Sequence, residues 1–333
     1  MVNFGVTPFL LFLNFCVRNP AGREMGLTTE EKMIRKALFA EEIFRWYSRV
    51  VTYGRMIKFS HTIFALPFAL AALLLAHREH PITSRLVFWV IVAMVGARSA
   101  AMGFNRLADA KDDAENPRTA EREIPAGRIS LRETAIFITG SSILFILAAA
   151  AISKICFWFS FPVLLALFGY SYTKRFTWLS HIVLGLVQGL VPIAVWIAIT
   201  GTFSAKILAL SLTLCTYIAG FDILYACQDM EFDRRQRLYS MPARFGLAKA
   251  MLFSSLLHLF TFLSILSLYR IFALSPYYLA FVSIIGILLI VEHRLVKPDD
   301  LSRVNIAFYH VNSVISLLLF AALLTEEIVG RMS

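Results

Sequence analysis

Charge is scarce in this chain. Only 16% of its 333 residues are Asp, Glu, Lys or Arg, against 58% hydrophobic, which leaves too little polar surface for a water-soluble domain of this length. Cysteine is scarcer still. Cys16, Cys156, Cys215 and Cys227 stand apart with no CxxC spacing and no His cluster, so they read as packing residues rather than a zinc site or a disulfide framework. No GxGxxG, no GK[ST] and no Ser/His/Asp arrangement at motif spacing occurs. Acidic residues are outnumbered, 22 to 32, giving a net charge of +10. The basic residues fall in short connections between apolar segments, however, which argues for a membrane surface and against a nucleic-acid partner.

What the sequence does have is long apolar runs. Segments of about 20 apolar residues recur at 59–77, 86–107, 132–152, 156–173, 181–200, 205–228, 248–269, 275–291 and 305–324. They predict an all-α integral membrane protein with nine transmembrane helices and its termini on opposite sides. The connections after even-numbered spans hold thirteen Lys and Arg and those after odd-numbered spans five, an alternation that puts the basic loops in the cytoplasm. Residues 29–58 read as an amphipathic cytoplasmic lead-in, 59–325 as the nine-helix domain, and 1–28 as an N-terminal extension whose apolar stretch is too short to span. Gly185 and Gly189 form a small-xxx-small pattern suited to close helix packing, and His61 lies inside the first span as either a substrate contact or a hydrogen-bonding partner of a neighbouring helix.

Carboxylates at the ends of spans are the informative ones, because ionisable groups are costly at membrane depth. Asn105 to Asp113 runs out of the second span and Asp222 to Asp233 out of the sixth. In each, an Asp recurs four residues on, Asp109 with Asp113 and Asp229 with Asp233, so that on a helix each pair lies on one face a turn apart. Like charges at that spacing call for a cation, and Mg²⁺ suits carboxylates that share it with a substrate phosphate. Arg118 and Arg122 follow the first pair and Arg234, Arg235 and Arg237 the second, a mixture of acids and guanidinium groups that fits a diphosphate.

These motifs resemble those of the UbiA superfamily of membrane aromatic prenyltransferases. Its signature NDxxDxxxD followed by RTAxRxxPxG is matched by Asn105, Asp109, Asp113 and Arg118 to Gly127; its DxxYAxxDxxxD by Asp222, Tyr225, Ala226, Asp229 and Asp233, then Ser240 and Phe245-Gly246. Tyr170 to Thr177 and Arg55 to Lys58 also match, so the resemblance covers roughly 50 to 325. Arg106 departs from it, standing where the ubiquinone-type enzymes have Asp; with 57–68 and 228–235 it looks like the 4-hydroxybenzoate polyprenyltransferase-like subgroup. The resemblance implies nine helices around a central cavity with the acidic motifs in cap loops above it, and transfer of a polyprenyl group from its diphosphate to a hydroxylated aromatic acid in ubiquinone or menaquinone biosynthesis, in a bacterial inner membrane. The acceptor is 4-hydroxybenzoate or, alternatively, a dihydroxynaphthoate of the futalosine route to menaquinone.

On that reading Asp109, Asp113, Asp229 and Asp233 hold Mg²⁺ on the diphosphate, and Arg118, Arg122, Lys174 and Arg175 neutralise the remaining charge. Asn105 adds a neutral oxygen or orients the first pair. Arg55 or Lys58 grips the acceptor's carboxylate, Asp222 takes up the released proton, and the rings of Tyr225, Tyr170 and Tyr172 either face the allylic cation or anchor their span ends at the membrane interface. The competing class is a transporter using paired acids as an ion pathway, which requires acids at depth rather than at span ends.

Overall fold

The computed structural model describes residues 29–332, with side chains from 38 to 329; the expected extension at 1–28 lies outside the described residues. Two units are distinguished, 1–51 and 52–333. Helix α1 (Thr29–Met56) contributes most of its length to the first, where Phe39, Phe44, Trp46 and Val50 are exposed among charged neighbours.

Among the described residues of the second unit, nine helical stretches are long and apolar enough to cross a membrane: Phe59–His77, Ser84–Ala108, Leu131–Ile152, Lys154–Thr173, Ser180–Thr200, Ala205–Arg235, Leu247–Ile271, Pro276–Leu295 and Ile306–Val329. They coincide with the nine predicted runs to within a few residues at most ends; the sixth, eighth and ninth run further, by up to about a turn or two. Among the described residues the only β pairing is an isolated bridge between Lys297 and Asp300. The helices are α2 (Leu66–His77), α3 (Ser84–Ala108), α4 (Ala110–Glu115), α5 (Leu131–Ile152), α6 (Lys154–Thr173), α7 (Ser180–Thr200), α8 (Leu208–Ala226), α9 (Met230–Arg235), α10 (Met241–Phe245), α11 (Leu247–Ile271), α12 (Pro276–Leu295) and α13 (Asn312–Met332). Local signals set several ends: Ser130 and Glu133 form a reciprocal capping box on α5, and the hydroxyls of Thr83 and Ser153 cap α3 and α6.

Three spans are not simple helices. The sixth opens on a 3₁₀ turn, Ala205–Ile207, and carries another, Cys227–Asp229, between α8 and α9. The first opens with a 3₁₀ stretch, Phe59–Phe64, that becomes α-helical only at Leu66, with Pro67 in its first turn. The ninth opens with a π-helical turn, Ile306–Val311, before α13. Neither of these last two breaks carries a signal in the apolar pattern.

Successive spans from the second to the ninth pack on one another, and α2 meets both α13 and α7. The stretch containing α8 is the most buried, 72% of its most apolar window against 17–50% for the rest, so it is the inner helix on which α7 and α11 lie. The two predicted packing glycines are where they are needed: a Cβ on Gly185 would stand 2.3 Å from the carbonyl oxygen of Cys215, and one on Gly189 3.0 Å from that of Ser211.

Loop contacts sort the connections into two ends. At one, Arg78 donates to the carbonyl of Phe272, Lys206 pairs with Glu79, and Ser275 donates to Glu326 near the end of α13. At the other, the connections after the second, fourth, sixth and eighth spans converge, as the charge alternation requires. Tyr239 N donates to the Lys174 carbonyl, and Val296 and Val304 pack with Ile223 and Met241.

Candidate active site

A cavity of about 680 Å³ lies inside the second unit, within the range of ligand pockets. Its mouth is polar and sits among the loops after the even-numbered spans. Its wall is apolar and runs down to Ile152 and Cys156 at the opposite ends of α5 and α6.

Both acidic motifs reach this mouth with the same backbone device. Asp109 stands between α3 and α4 at φ −94°, ψ 4°, and Asp229 stands ahead of α9 at φ −98°, ψ 1°. Each motif is therefore a span helix, a break at the first Asp of its pair, and one short helix carrying the second. The spacing survives the break, because Asp113 N still donates to the Asp109 carbonyl at 2.7 Å.

Every aspartate of the two pairs has a polar partner. Asp109 Oδ2 lies 3.0 Å from Lys174 Nζ and accepts from Asn105 Nδ2 at 3.1 Å, whereas its buried Oδ1 accepts no hydrogen bond. Asp113 accepts from Arg122 Nη1 at 2.6 Å, with Arg106 Nη1 at 3.6 Å. Asp229 is clamped by both arms of Arg118, Nε at 2.8 Å and also Nη2, and accepts from Asn116 Nδ2 at 3.0 Å. Asp233 accepts from Ser240 Oγ at 2.7 Å. Arg118 and Asn116 belong to the first motif, so their grip on Asp229 ties the two motifs together across more than a hundred residues of sequence.

Electrostatics at the mouth are strained on both sides. Burial holds the Asp109 carboxyl above the usual range, against the pull of Lys174, while burial and the neighbouring Arg106, Arg122 and Arg118 push Lys58 down to about 7. Lys58 also has a left-handed backbone, φ 47°, uncommon for a side chain with a Cβ; Arg98 Nη2 donates to its carbonyl at 3.3 Å.

Of the residues singled out by sequence, Asp109, Asp113, Asp222, Asp229, Asp233, Asn105, Lys58, Arg118, Arg122, Lys174, Tyr170 and Tyr225 line the cavity. Arg55 does not: it is exposed at the end of α1. Arg175 lies beside the wall, donating to the Ala108 carbonyl at 2.5 Å and stacking on Tyr172, which is 42% exposed and also off the cavity. Tyr225 is flanked by Arg118 at 5.1 Å and Lys58 at 5.6 Å from its ring centre. Arg106, the departure from the signature, is buried and donates through Nε to the Met56 carbonyl at 3.2 Å.

Three residues of this site went unnoticed in sequence. Arg98 lines the apolar wall seven residues, or about 10 Å of helix, before Asn105, and its buried Nε has no hydrogen-bond partner. A cation inside an apolar span was the available signal. His181 on α7 is buried with Nδ1 2.7 Å from Asp222 Oδ2. Met241 N donates to its Nε2 at 3.4 Å, so Nδ1 carries the proton toward Asp222 in the neutral ring. Asn116 is the third.

Among the described residues no three His, Cys, Asp or Glu side chains converge closely enough to hold a metal by themselves. Oxygen donors on two sides of one mouth, one of them a buried carboxylate oxygen that accepts no hydrogen bond and has only Arg175 at 3.9 Å, fit a hard divalent cation whose remaining ligands come from a bound anion.

A sequence profile described as "UbiA prenyltransferase family" matches residues 65–320, most of the chain. The chain belongs to this family. It is 28% identical over 242 residues to a protein of Nitrosomonas eutropha named 4-hydroxybenzoate octaprenyltransferase, covering 72% of this chain and 83% of that one. A solved structure, the apo form of a UbiA homolog from Aeropyrum pernix K1, superposes with a TM-score of 0.72 at 28% identity, over 82% of this chain and 98% of that one. A UbiA homolog from Archaeoglobus fulgidus bound to DMAPP and Mg²⁺ shares the fold, with a TM-score of 0.64 at 18% identity over 84% and 99%. The UbiA fold accounts for the nine spans, and the acidic motifs at one end of this chain's bundle stand at the mouth of the 680 Å³ cavity.

Proposed function

We propose that the protein transfers a polyprenyl group from its diphosphate to the ring of a hydroxylated aromatic acid, 4-hydroxybenzoate, as a Mg²⁺-dependent step of quinone biosynthesis at the cytoplasmic face of a bacterial inner membrane. The observation that carries this reading is the joining of both aspartate pairs at one mouth, interleaved with Arg118, Arg122 and Lys174, above an apolar wall. The name of the Nitrosomonas relative supports the acceptor, and the DMAPP and Mg²⁺ of the Archaeoglobus structure support the donor class and metal.

Asp109, Asp113, Asp229 and Asp233 would hold Mg²⁺, with Asp109 Oδ1 the oxygen left free for it. When bound, the ion screens the diphosphate and acts as a Lewis acid on the leaving group. Arg118, Arg122 and Lys174 neutralise the charge that develops as the allylic C–O bond breaks with its electron pair leaving on the diphosphate, and Arg175, off the cavity, backs them through its ion pairs with Asp109 and Asp112. The allylic carbon then passes to the face of the acceptor ring. Tyr225 stands at that boundary, its ring against the cavity, and the apolar wall keeps water from the cation.

Arg98 takes the acceptor's carboxylate, in place of the exposed Arg55: it lines the cavity and its buried guanidinium Nε has no hydrogen-bond partner. Asp222, held by His181, accepts the ring proton after the new C–C bond forms. Membranes carrying the protein, incubated with Mg²⁺ and a polyprenyl diphosphate and offered 4-hydroxybenzoate and dihydroxynaphthoate in parallel, test the reading by mass spectrometry. A prenylated 4-hydroxybenzoate is expected; product from dihydroxynaphthoate alone reassigns the acceptor, and product from neither sinks the assignment.

A further inference from the structure

Outside the cavity, α8, α11, α12 and the ninth span enclose a polar cluster that the chemistry above does not use. Glu292 is fully buried, His258 almost so, and Asn312 fully. Glu292 Oε1 accepts from Asn312 Nδ2 at 2.8 Å, and its Oε2 lies 3.4 Å from His258 Nδ1. His258 Nδ1 in turn stands 2.9 Å from His293 Nε2, and its Nε2 donates to the Tyr217 carbonyl at 3.3 Å. Room for the imidazole exists only because residue 220 is glycine, where a Cβ would come within 2.3 Å of the ring. A buried carboxylate among apolar helices is expensive, so its presence calls for a local reason.

The π-helical turn supplies that reason. A turn with i→i+5 bonding carries an extra residue and leaves carbonyls without their usual helical donors. Asn312 Nδ2, besides meeting Glu292, lies 3.1 Å from the Ala307 carbonyl and 3.2 Å from that of Phe308. Tyr217 Oη fixes the same residue from the other side by donating to the Asn312 carbonyl at 2.7 Å. Phe308 projects from this turn into the cavity wall, with its ring 4.2 Å from that of Tyr225 and 5.3 Å from those of Phe64 and Phe221. Tyr225 Oη accepts from Arg118 Nη1 at 2.9 Å, the guanidinium that clamps Asp229.

We propose that Glu292 is a positioning residue: through Asn312 and the π-turn at 306–311 it fixes Phe308 against Tyr225, and with them the floor on which the allylic carbon and the acceptor ring meet. It touches neither substrate. The inference rests on the prenyl-transfer reading, and its test separates the two.

With donor and acceptor saturating in turn, Glu292→Leu is expected to lower kcat about tenfold or more while donor KM stays within about twofold of wild type. Glu292→Gln, which keeps an acceptor for Asn312, is expected to restore it. Phe308→Ala lowers kcat by itself, and adding Glu292→Leu to it changes little, because the ring that Glu292 positions is already gone. Additive effects of the two, a glutamine as damaging as leucine, or a loss expressed in donor KM would each overturn the proposal. Hydrogen exchange across 306–312 needs no turnover: it is expected to speed up in Glu292→Leu and not in Glu292→Gln, and unchanged exchange in both overturns the proposal whether or not the acceptor has been correctly assigned. Should Glu292→Leu fail to insert, Asn312→Ser read against the same Phe308→Ala background gives the same comparison.

Discussion

Arg98 offers the most discriminating substitution, because the proposed grip on the acceptor depends on one guanidinium whose Nε has no partner of its own within the chain. Replacing it with methionine keeps much of the stem that packs on the wall and removes the donors. A hydrogen bond to a charged group contributes about 1.5–3 kcal/mol, and each 1.4 kcal/mol is a factor of ten, so KM for 4-hydroxybenzoate is expected to rise about 10- to 150-fold. The upper part of that range is favoured by burial, which strengthens charge pairing. Arg98 also donates to the Lys58 carbonyl, so a second arm is needed to separate acceptor binding from disturbance of Lys58. Phenol, which lacks the carboxylate, serves: wild type should discriminate against phenol by about the factor that Arg98→Met loses on 4-hydroxybenzoate, and Arg98→Met should barely tell the two apart. The assay is initial rate against acceptor concentration at saturating donor and Mg²⁺. An Arg98→Met enzyme that still prefers the acid by the wild-type ratio refutes the assignment of Arg98 to the carboxylate.

Three further outcomes are expected. Lys58, lowered to about 7 in the free protein, gains a proton when an anionic diphosphate raises its pKa, so donor-analogue affinity should be full below about pH 7 and fall as pH rises above it; Lys58→Met should flatten that slope in a calorimetric titration. Asp222→Asn should lower kcat about 100-fold or more, and His181→Asn by less, both at unchanged donor KM. A donor KM that moves with either substitution points away from a proton-accepting role. Gly185→Ala forces a methyl group against the Cys215 carbonyl and should cost about 1–3 kcal/mol of stability, read as a lower thermal midpoint in detergent, whereas Gly140→Ala, with nothing within 4 Å of the new methyl, should be neutral.

Much of this architecture is written locally. Apolar runs of spanning length mark the nine helices, and thirteen basic residues against five fix which loops share an end, since both effects depend on composition alone. The aspartate pairs are equally legible, because a four-residue spacing is local and, in the first pair, survives even the break in backbone at Asp109. Partnerships are another matter. Asn116 and Arg118 reach Asp229 from the other motif, a contact no short-range spacing encodes. His181 looks like an ordinary residue at the start of an apolar run until the α7–α8 packing sets it beside Asp222. Arg55 and Lys58, three residues apart, look alike in sequence, yet the left-handed turn at Lys58 sends one to the cavity and leaves the other exposed. The π-turn at 306–311 is invisible for the same reason: the Asn312 amide that meets its Ala307 carbonyl is itself held by Glu292 from another span.

The central claim is that the two aspartate pairs act together on one diphosphate through Mg²⁺. Its most direct test is the affinity of a non-reactive polyprenyl diphosphate analogue for the purified protein, measured across a Mg²⁺ titration for wild type, Asp109→Asn, Asp229→Asn and the double variant. Mg²⁺ should strengthen binding to wild type, each single substitution should remove most of that gain, and the double should lose little more than either. Binding that ignores Mg²⁺, or a Mg²⁺ gain kept intact in Asp229→Asn, would contradict it.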